Sequence, residues 1–275
     1  MTIRDLGGFD PSSTYSAAAE TYQRASPRYW RFLSTRTIER LELQPGQSVL
    51  DAACGPGPAT VDAARRVGPS GRVVGVDYAE GMLAIARQNV ASSGVTGVEL
   101  VQGDILRLPY GAEFDAVVCV LGIFFVDDMP AAARSLWRHV RPGGTLSVST
   151  FGSEVWEPVL GHFVATVRRV RPDIEIVLPW RRTEDPEVLA RIFREAGIEG
   201  AEVRQDADAV PFRPDDWPTI VMGSGLRRIA LDLGDDCASV LGETVGWTDQ
   251  QQLRTIRVSS NYATARKPLG SSRNR

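Results

Sequence analysis

The stretch VLDAACGPGP, Val49–Pro58, carries an apolar run into an acid, two small residues, a cysteine and two spaced glycines, and a helical pattern begins directly after it. That order spells a strand, a tight turn and a helix N-terminus. Glycine lets the backbone turn sharply and lets a ligand come close, while the first helical turn leaves N–H groups unpaired. A dinucleotide-binding turn, G-x-G-x-x-G, would need glycine or alanine where Thr60 stands. An acid at Asp51 would also repel a pyrophosphate.

Downstream the same unit repeats. Arg72–Val76 reads as a short buried strand with Asp77 at its carboxyl end, where an acid can accept both hydroxyls of a ribose. Tyr78 follows, placed to pack on an adenine face. Met82, Leu83, Ala86 and Val90 then make an apolar helix stripe closed near Gly94. Val98–Gln102 is a third strand, followed by Gly103 and Asp104; Asp104 suits the amino group of an adenine. A fourth strand begins near Asp115 and ends at Val120, Leu121 and Gly122, with Phe124 and Phe125 just beyond it, where an acceptor can stack. Asp127 and Asp128 read as caps for a helix over Met129–Val140, since Pro130 suits a first helical turn. Arg141–Gly144 stops that helix and turns into a strand over Thr145–Thr150. Strands alternating with helices imply right-handed βαβ units and a parallel sheet, and ligands of such sheets bind at the carboxyl ends of the strands. Asp51, Asp77, Asp104 and Val120–Gly122 all fall there.

The flanks are less regular. Residues 1–14 read as loosely attached. From Tyr15 to Leu41 a helical region is expected, divided in two by Pro27 and carrying Tyr15, Tyr22 and Tyr29 at seven-residue intervals. After the core, Ser153–Val170 reads as a helix with Trp156, Val159, Leu160, Phe163 and Val167 on one side. Trp180 falls in a loop, and Pro186–Ala196 is an amphipathic helix closed by Gly197. Phe212–Gln252 is a further insertion, and 268–275 a frayed tail.

Composition narrows the class. The 275 residues are 43% hydrophobic and 24% charged, as in a soluble globular protein with an ample core. No apolar run spans a bilayer, and MTIRDLGGFDPSST lacks an export signal, so a cytoplasmic protein is expected. A net charge of −3 without a long basic run argues against nucleic acid as partner. Cys54, Cys119 and Cys237 show no metal or disulfide spacing, and no metal is expected. Of the two histidines, His139 reads as a helix C-terminal residue and His162 lies in the acceptor region but off its helix stripe. With Tyr15, Tyr22 and Tyr29, His162 completes the candidates for proton transfer. Arg168, Arg169, Arg171, Arg181 and Arg182 form a cluster that either complements a helix dipole or binds an acidic acceptor.

Residues from about 45 to 150 resemble the class I S-adenosylmethionine-dependent methyltransferases, close to the type-11 and ubiquinone/menaquinone-biosynthesis-like groups. Pro56 and Ala79 depart from that pattern, where a small polar residue and a capping serine are commoner. The resemblance implies a Rossmann-like three-layer α/β/α sandwich with a seven-stranded, mostly parallel sheet in the order 3-2-1-4-5-7-6. The last strand is antiparallel, and further strands lie near Ala201–Ala207 and Val258–Ala265. It implies S-adenosylmethionine as cofactor and S-adenosylhomocysteine as product. The contacts implied are Tyr22, Asp51, Ala53, Cys54, Gly55, Gly57, Asp77, Tyr78, Met82, Gly103, Asp104, Ile105, Val120, Leu121 and Gly122. Phe124, Phe125, Trp156 and Trp180 are expected around a small, flat, apolar acceptor. The organisation expected is a helical lid over 1–44, a cofactor core over 45–152, and acceptor-pocket insertions with the last strands of the same domain over 153–267. Carbon or nitrogen methylation in bacterial secondary metabolism is the favoured activity, because no strong base for a hydroxyl is evident. A dinucleotide-dependent oxidoreductase and a non-catalytic cofactor-binding partner protein are the alternatives, and the exposed N-terminal helices serve either as a lid or as a homo-oligomer interface.

Overall fold

The computed structural model describes residues 10–269. Two helices lead, α1 (Pro11–Tyr29) and α2 (Arg31–Glu39). There follow β1 (Ser48–Ala52), α3 (Pro58–Val67), β2 (Arg72–Asp77), α4 (Glu80–Ser93), β3 (Val98–Gln102), β4 (Phe114–Val120), α5 (Met129–His139) and β5 (Val140–Glu157). The last third holds α6 (Val159–Val170), α7 (Pro186–Glu195), β6 (Glu202–Pro211), α8 (Trp217–Gly223), α9 (Arg227–Leu233), α10 (Cys237–Gln250) and β7 (Thr255–Arg266). The seven strands form one sheet in the order β3-β2-β1-β4-β5-β7-β6, with β7 antiparallel to both neighbours. This is the order the resemblance implied.

Side chains alternate across the sheet with the two-residue period of a strand. Val49, Val73, Ala116 and Val118 pack against α2 and α3 on one face. Leu50, Val74, Val117 and Cys119 pack against α5 and α7 on the other. Strands buried on both faces read as continuous apolar runs, which is why VVGV and AVVCV were legible as strands. A third cluster joins the ends of α1 and β5 to α6, α8, α9 and α10, with Trp156, Phe163 and Trp217 at its centre.

Three boundaries differ from expectation. Pro11–Thr14 belong to α1, capped by Asp10, whose carboxylate accepts from the Ser12 and Ser13 N–H groups; residues 1–9 lie outside the described residues, as do 270–275 of the expected tail. Pro27 sits inside α1, and the break comes at Trp30. Ser153–Glu157 continue β5 instead of opening a helix, because they pair with Val258 and Arg257 of β7 through a shifted register. Trp156 therefore comes from a strand, with φ +55°, and α6 starts only after Pro158.

Helix α1 lies across the carboxyl ends of the first strands, seated between α4 and α8. A side-chain carbon on Gly81 of α4 would stand 2.6 Å from the Ser16 carbonyl oxygen, and one on Gly223 of α8 would stand 2.9 Å from the Thr21 carbonyl and Tyr22 N. Only glycine permits so close an approach. The Gln23 and Asn89 amides exchange hydrogen bonds between α1 and α4, and Asn89 also donates to the Pro56 carbonyl in the glycine-rich turn (2.8 Å).

Candidate active site

A cavity opens where the strands end. Its polar end is built by β1 and β2. The Asp77 carboxylate accepts from Gly55 N with one oxygen and from Ala79 N with the other, both at 2.8 Å. This fixes the acid at the mouth of the strand and closes the turn over it. Burial holds the Asp77 carboxyl above its ordinary range, against the pull of those N–H groups. Gly55, at φ +55°, has open space where a side chain would project, so the backbone itself is presented to the cavity. Gly103, Asp104 and Ile105 follow β3 along the same wall. One Asp104 oxygen accepts from Leu106 N (3.0 Å). Tyr78, about half exposed, and Met82 complete this end.

Beyond them the chain leaves both β1 and β4 in the left-handed region, at Ala53 (φ +61°) and Leu121 (φ +56°). Such residues without glycine cost of order 1 kcal/mol each and cluster at functional sites. Gly122 makes the pair possible, since a side-chain carbon there would lie 2.5 Å from the Ala53 Cβ.

The far end of the cavity is aromatic. Phe124 and Phe125 pack at a tilt, 4.6 Å between centroids, Phe125 meets the edge of Tyr15 at 5.4 Å, and Tyr22 meets Trp30 at 4.9 Å. Trp156 sits between Trp30, Phe151 and Trp180, with centroids 5.7 to 5.8 Å away. Ser224 and Gly225 close this end, Gly225 against the Tyr15 hydroxyl. Burial pushes Tyr15 and Tyr22 far above the ordinary phenol range, so both stay protonated. The indole N–H of Trp30 faces the Tyr22 hydroxyl, while that of Trp156 is buried without a hydrogen-bond partner, as is that of Trp217 behind the wall. Buried donors are rarely left unmet.

Most residues singled out in the sequence line this cavity: Tyr15, Tyr22, Ala53, Gly55, Asp77, Tyr78, Met82, Gly103, Asp104, Ile105, Val120, Leu121, Gly122, Phe124, Phe125, Trp156 and Trp180. Five do not. Asp51 is fully buried behind the turn, accepting from the Thr60 hydroxyl at 2.6 Å, with its other oxygen unpartnered. Burial, with Asp77 nearby, pushes its carboxyl up to about 7. The Cys54 thiol turns back against Gly75, and Gly57 is the left-handed cap of α3 facing Ala86 of α4. Tyr29 stands at the C-terminal end of α1, away from the cavity, where its hydroxyl donates to Asp216 at 2.6 Å. His162 stacks flat on Trp247, 4.1 Å between ring centres, fastening α6 to α10. His139 bonds the Tyr110 carbonyl at 2.8 Å, in keeping with its helix-end reading. Asp10, Ser12, Trp30, Ala79, Phe151, Ser224 and Gly225 also line the cavity and were not singled out. Trp30 stood beside the tyrosines of the N-terminal pattern; the others carry no local signal.

Among the described residues, no group of three or more His, Cys, Asp or Glu side chains could hold a metal ion, and no helix is long and apolar enough to cross a membrane.

Residues 49–144 match a family model described as a methyltransferase domain. The chain is 34% identical over 180 residues to the ubiquinone/menaquinone biosynthesis C-methyltransferase UbiE of Enterobacter sp. (strain 638), covering 60% of this chain and 72% of that protein. It is 41% identical over 115 residues to a 2-phytyl-1,4-naphtoquinone methyltransferase of Thermosynechococcus vestitus, covering 42% of this chain and 50% of that protein. Among solved structures, phosphoethanolamine N-methyltransferase 2 of Haemonchus contortus with S-adenosylhomocysteine shares the fold (TM-score 0.59, 19% identity, 98% of this chain and 60% of that chain).

Proposed function

The chain belongs to the class I S-adenosylmethionine-dependent methyltransferases, and we propose that it methylates a small, neutral, flat acceptor seated in the aromatic end of the cavity. Membership in that family overturns the dinucleotide-oxidoreductase alternative. The carrying observation is that one cavity joins an acid fixed at the end of β2 to a box of aromatic rings.

The polar end fits the cofactor. The two backbone N–H groups hold the Asp77 carboxylate in place and leave lone pairs for the ribose hydroxyls. Asp104 is assigned the adenine amino group, with Tyr78, Met82 and Ile105 against the base. Gly55, Ala53, Leu121 and Gly122 give close backbone approach, and Tyr22 covers the site from α1. When bound, S-adenosylmethionine supplies a methyl group on a positively charged sulfur. The orphaned oxygen of Asp51 behind the turn supports a cationic ligand in front of it.

The aromatic end orients and excludes water. Among the described residues lining the cavity, the only ionisable groups are aspartates and tyrosines. Tyr15 and Tyr22, held protonated, serve as hydrogen-bond donors instead of bases. Transfer therefore draws on closeness and alignment, which can supply many kcal/mol of a barrier. A carbon or nitrogen nucleophile, which needs no early proton removal, is favoured over a hydroxyl. The unmet indole donor of Trp156 supports an acceptor that carries an oxygen, and the quinone names of the relatives support a quinol ring.

The test is the thermal midpoint with S-adenosylhomocysteine and with NAD, followed by labelled-methyl transfer to 1,4-dihydroxynaphthalene. A rise with the sulfur compound alone, and label in the ring, is expected. Stabilisation by NAD alone would overturn the cofactor assignment, and cofactor binding without label in the diol would overturn the quinol class.

A further inference from the structure

Arg182 lies in the turn Pro179–Thr183, two residues after Trp180. Its Nη1 donates to the carbonyls of Phe124 (3.0 Å) and Val126 (2.9 Å), and its Nη2 donates to the carbonyl of Asp127 (3.0 Å). These are carbonyls of the one-turn 3-10 helix Ile123–Phe125 and of the link from it to α5. A guanidinium spreads five donors over a rigid planar fork and so spans three carbonyls at once, a reach that the compact ammonium of lysine does not reproduce.

The other end of this strut is tied to the sheet. The buried Asn261 of β7 donates through Nδ2 to the carbonyls of Thr183 (3.0 Å) and Glu184 (3.1 Å), and the Thr150 hydroxyl of β5 donates to the Thr183 carbonyl (3.3 Å). The chain of contacts runs from the sheet through Thr183 to Arg182, and from Arg182 to Phe124 and the link after Phe125. It joins the two aromatic walls, Trp180 on one side and Phe124 with Phe125 on the other, without touching the polar end. The guanidinium is thus engaged with backbone and does not serve the acidic-acceptor reading of the arginine cluster.

We propose that Arg182 is a positioning residue that sets the separation of the aromatic walls, and through it the acceptor the enzyme takes. This rests on the aromatic end being the acceptor site. Arg182 acts on that end alone, so its loss divides the two ligands.

The experiment compares wild type, Arg182→Ala and Arg182→Lys, each saturated with S-adenosylhomocysteine, using 1-naphthol as a neutral two-ring probe read by tryptophan fluorescence. Hydrogen exchange of the ligand-free proteins runs in parallel. In Arg182→Ala the naphthol dissociation constant rises about tenfold while that of S-adenosylhomocysteine changes less than twofold. Methylguanidinium restores naphthol binding, and lysine restores it only in part. Exchange over residues 121–128 speeds up about tenfold, with 49–57 unchanged. Unaltered naphthol affinity and exchange in Arg182→Ala would overturn the proposal, as would an equal loss of both ligands or faster exchange everywhere. Wild type that binds S-adenosylhomocysteine but not naphthol would instead overturn the acceptor reading beneath it.

Discussion

Replacing Asp77 by alanine separates a ligand-binding acid from a loop-holding one. The carboxylate takes two backbone N–H groups at 2.8 Å and faces the cavity with its remaining lone pairs. A hydrogen bond to a charged group contributes about 1.5–3 kcal/mol, so two ribose hydroxyls correspond to roughly 3–6 kcal/mol, or about 10²- to 10⁴-fold in affinity. The cost to the ligand-free protein is much smaller. Removing the acid loses the two loop bonds, but it also relieves the burial that pushes the Asp77 carboxyl up and the repulsion it exerts on Asp51. Titration calorimetry with S-adenosylhomocysteine, with thermal midpoints alongside, reads both quantities. At ligand 100 times the wild-type dissociation constant, wild type gains about 2.7 kcal/mol, while a variant bound a hundredfold more weakly gains about 0.4 kcal/mol. An alanine variant that binds within threefold of wild type would refute the reasoning, and Asp77 would then be a loop anchor only.

Three further outcomes are expected. Asp51, with its folded pKa raised to about 7 from an ordinary carboxyl value, favours the folded state in its neutral form; that contribution is full below about pH 4 and is lost as the pH rises toward 7. Asp51→Asn, neutral throughout, should match wild type in urea denaturation near pH 4 and exceed it by roughly 1–4 kcal/mol at pH 8; a gap independent of pH would sink this. Gly81→Ala would drive a methyl group into the Ser16 backbone and lower stability by about 1–3 kcal/mol, with proteolysis of α1 accelerated; an unchanged midpoint and cleavage rate would contradict the seat described above. Tyr22→Phe should slow methyl transfer less than about tenfold and leave its pH profile between 6 and 9 as in wild type, whereas loss of a basic limb would make Tyr22 a general base.

The cofactor half was legible because its signals are local. Asp51, Asp77 and Asp104 each end an apolar run, and in a parallel sheet every run ends on the same side. The acceptor half was legible only as aromatic content. Trp156, Val159, Leu160, Phe163 and Val167 recur at helical spacing, yet Trp156 is a strand residue, because pairing with β7 a hundred positions later outweighs local periodicity. Tyr15, Tyr22 and Tyr29 share a seven-residue interval, which keeps them on one side of α1 but spreads them along it. At about 1.5 Å per residue Tyr29 stands roughly 21 Å beyond Tyr15 along that helix, where it meets Asp216 instead of the cavity. Asp51 and Cys54 occupy the expected turn, but only the fold shows that their side chains point behind it. Ser224 and Gly225 reach the site through the α8–α9 link, which no short-range pattern reports.

The glycine seats of α1 also bear on how the chain is made. The helix that covers the cavity precedes Gly223 by roughly 200 residues, and at about 5–20 residues per second α8 is synthesised some 10–40 s after it. During that interval β7, the strand through which β6 joins the sheet, is not yet made, and α1 has one seat of two. A nascent chain on the ribosome therefore holds an open, half-built chamber, and the second seat of α1 forms only after Gly223 has been made.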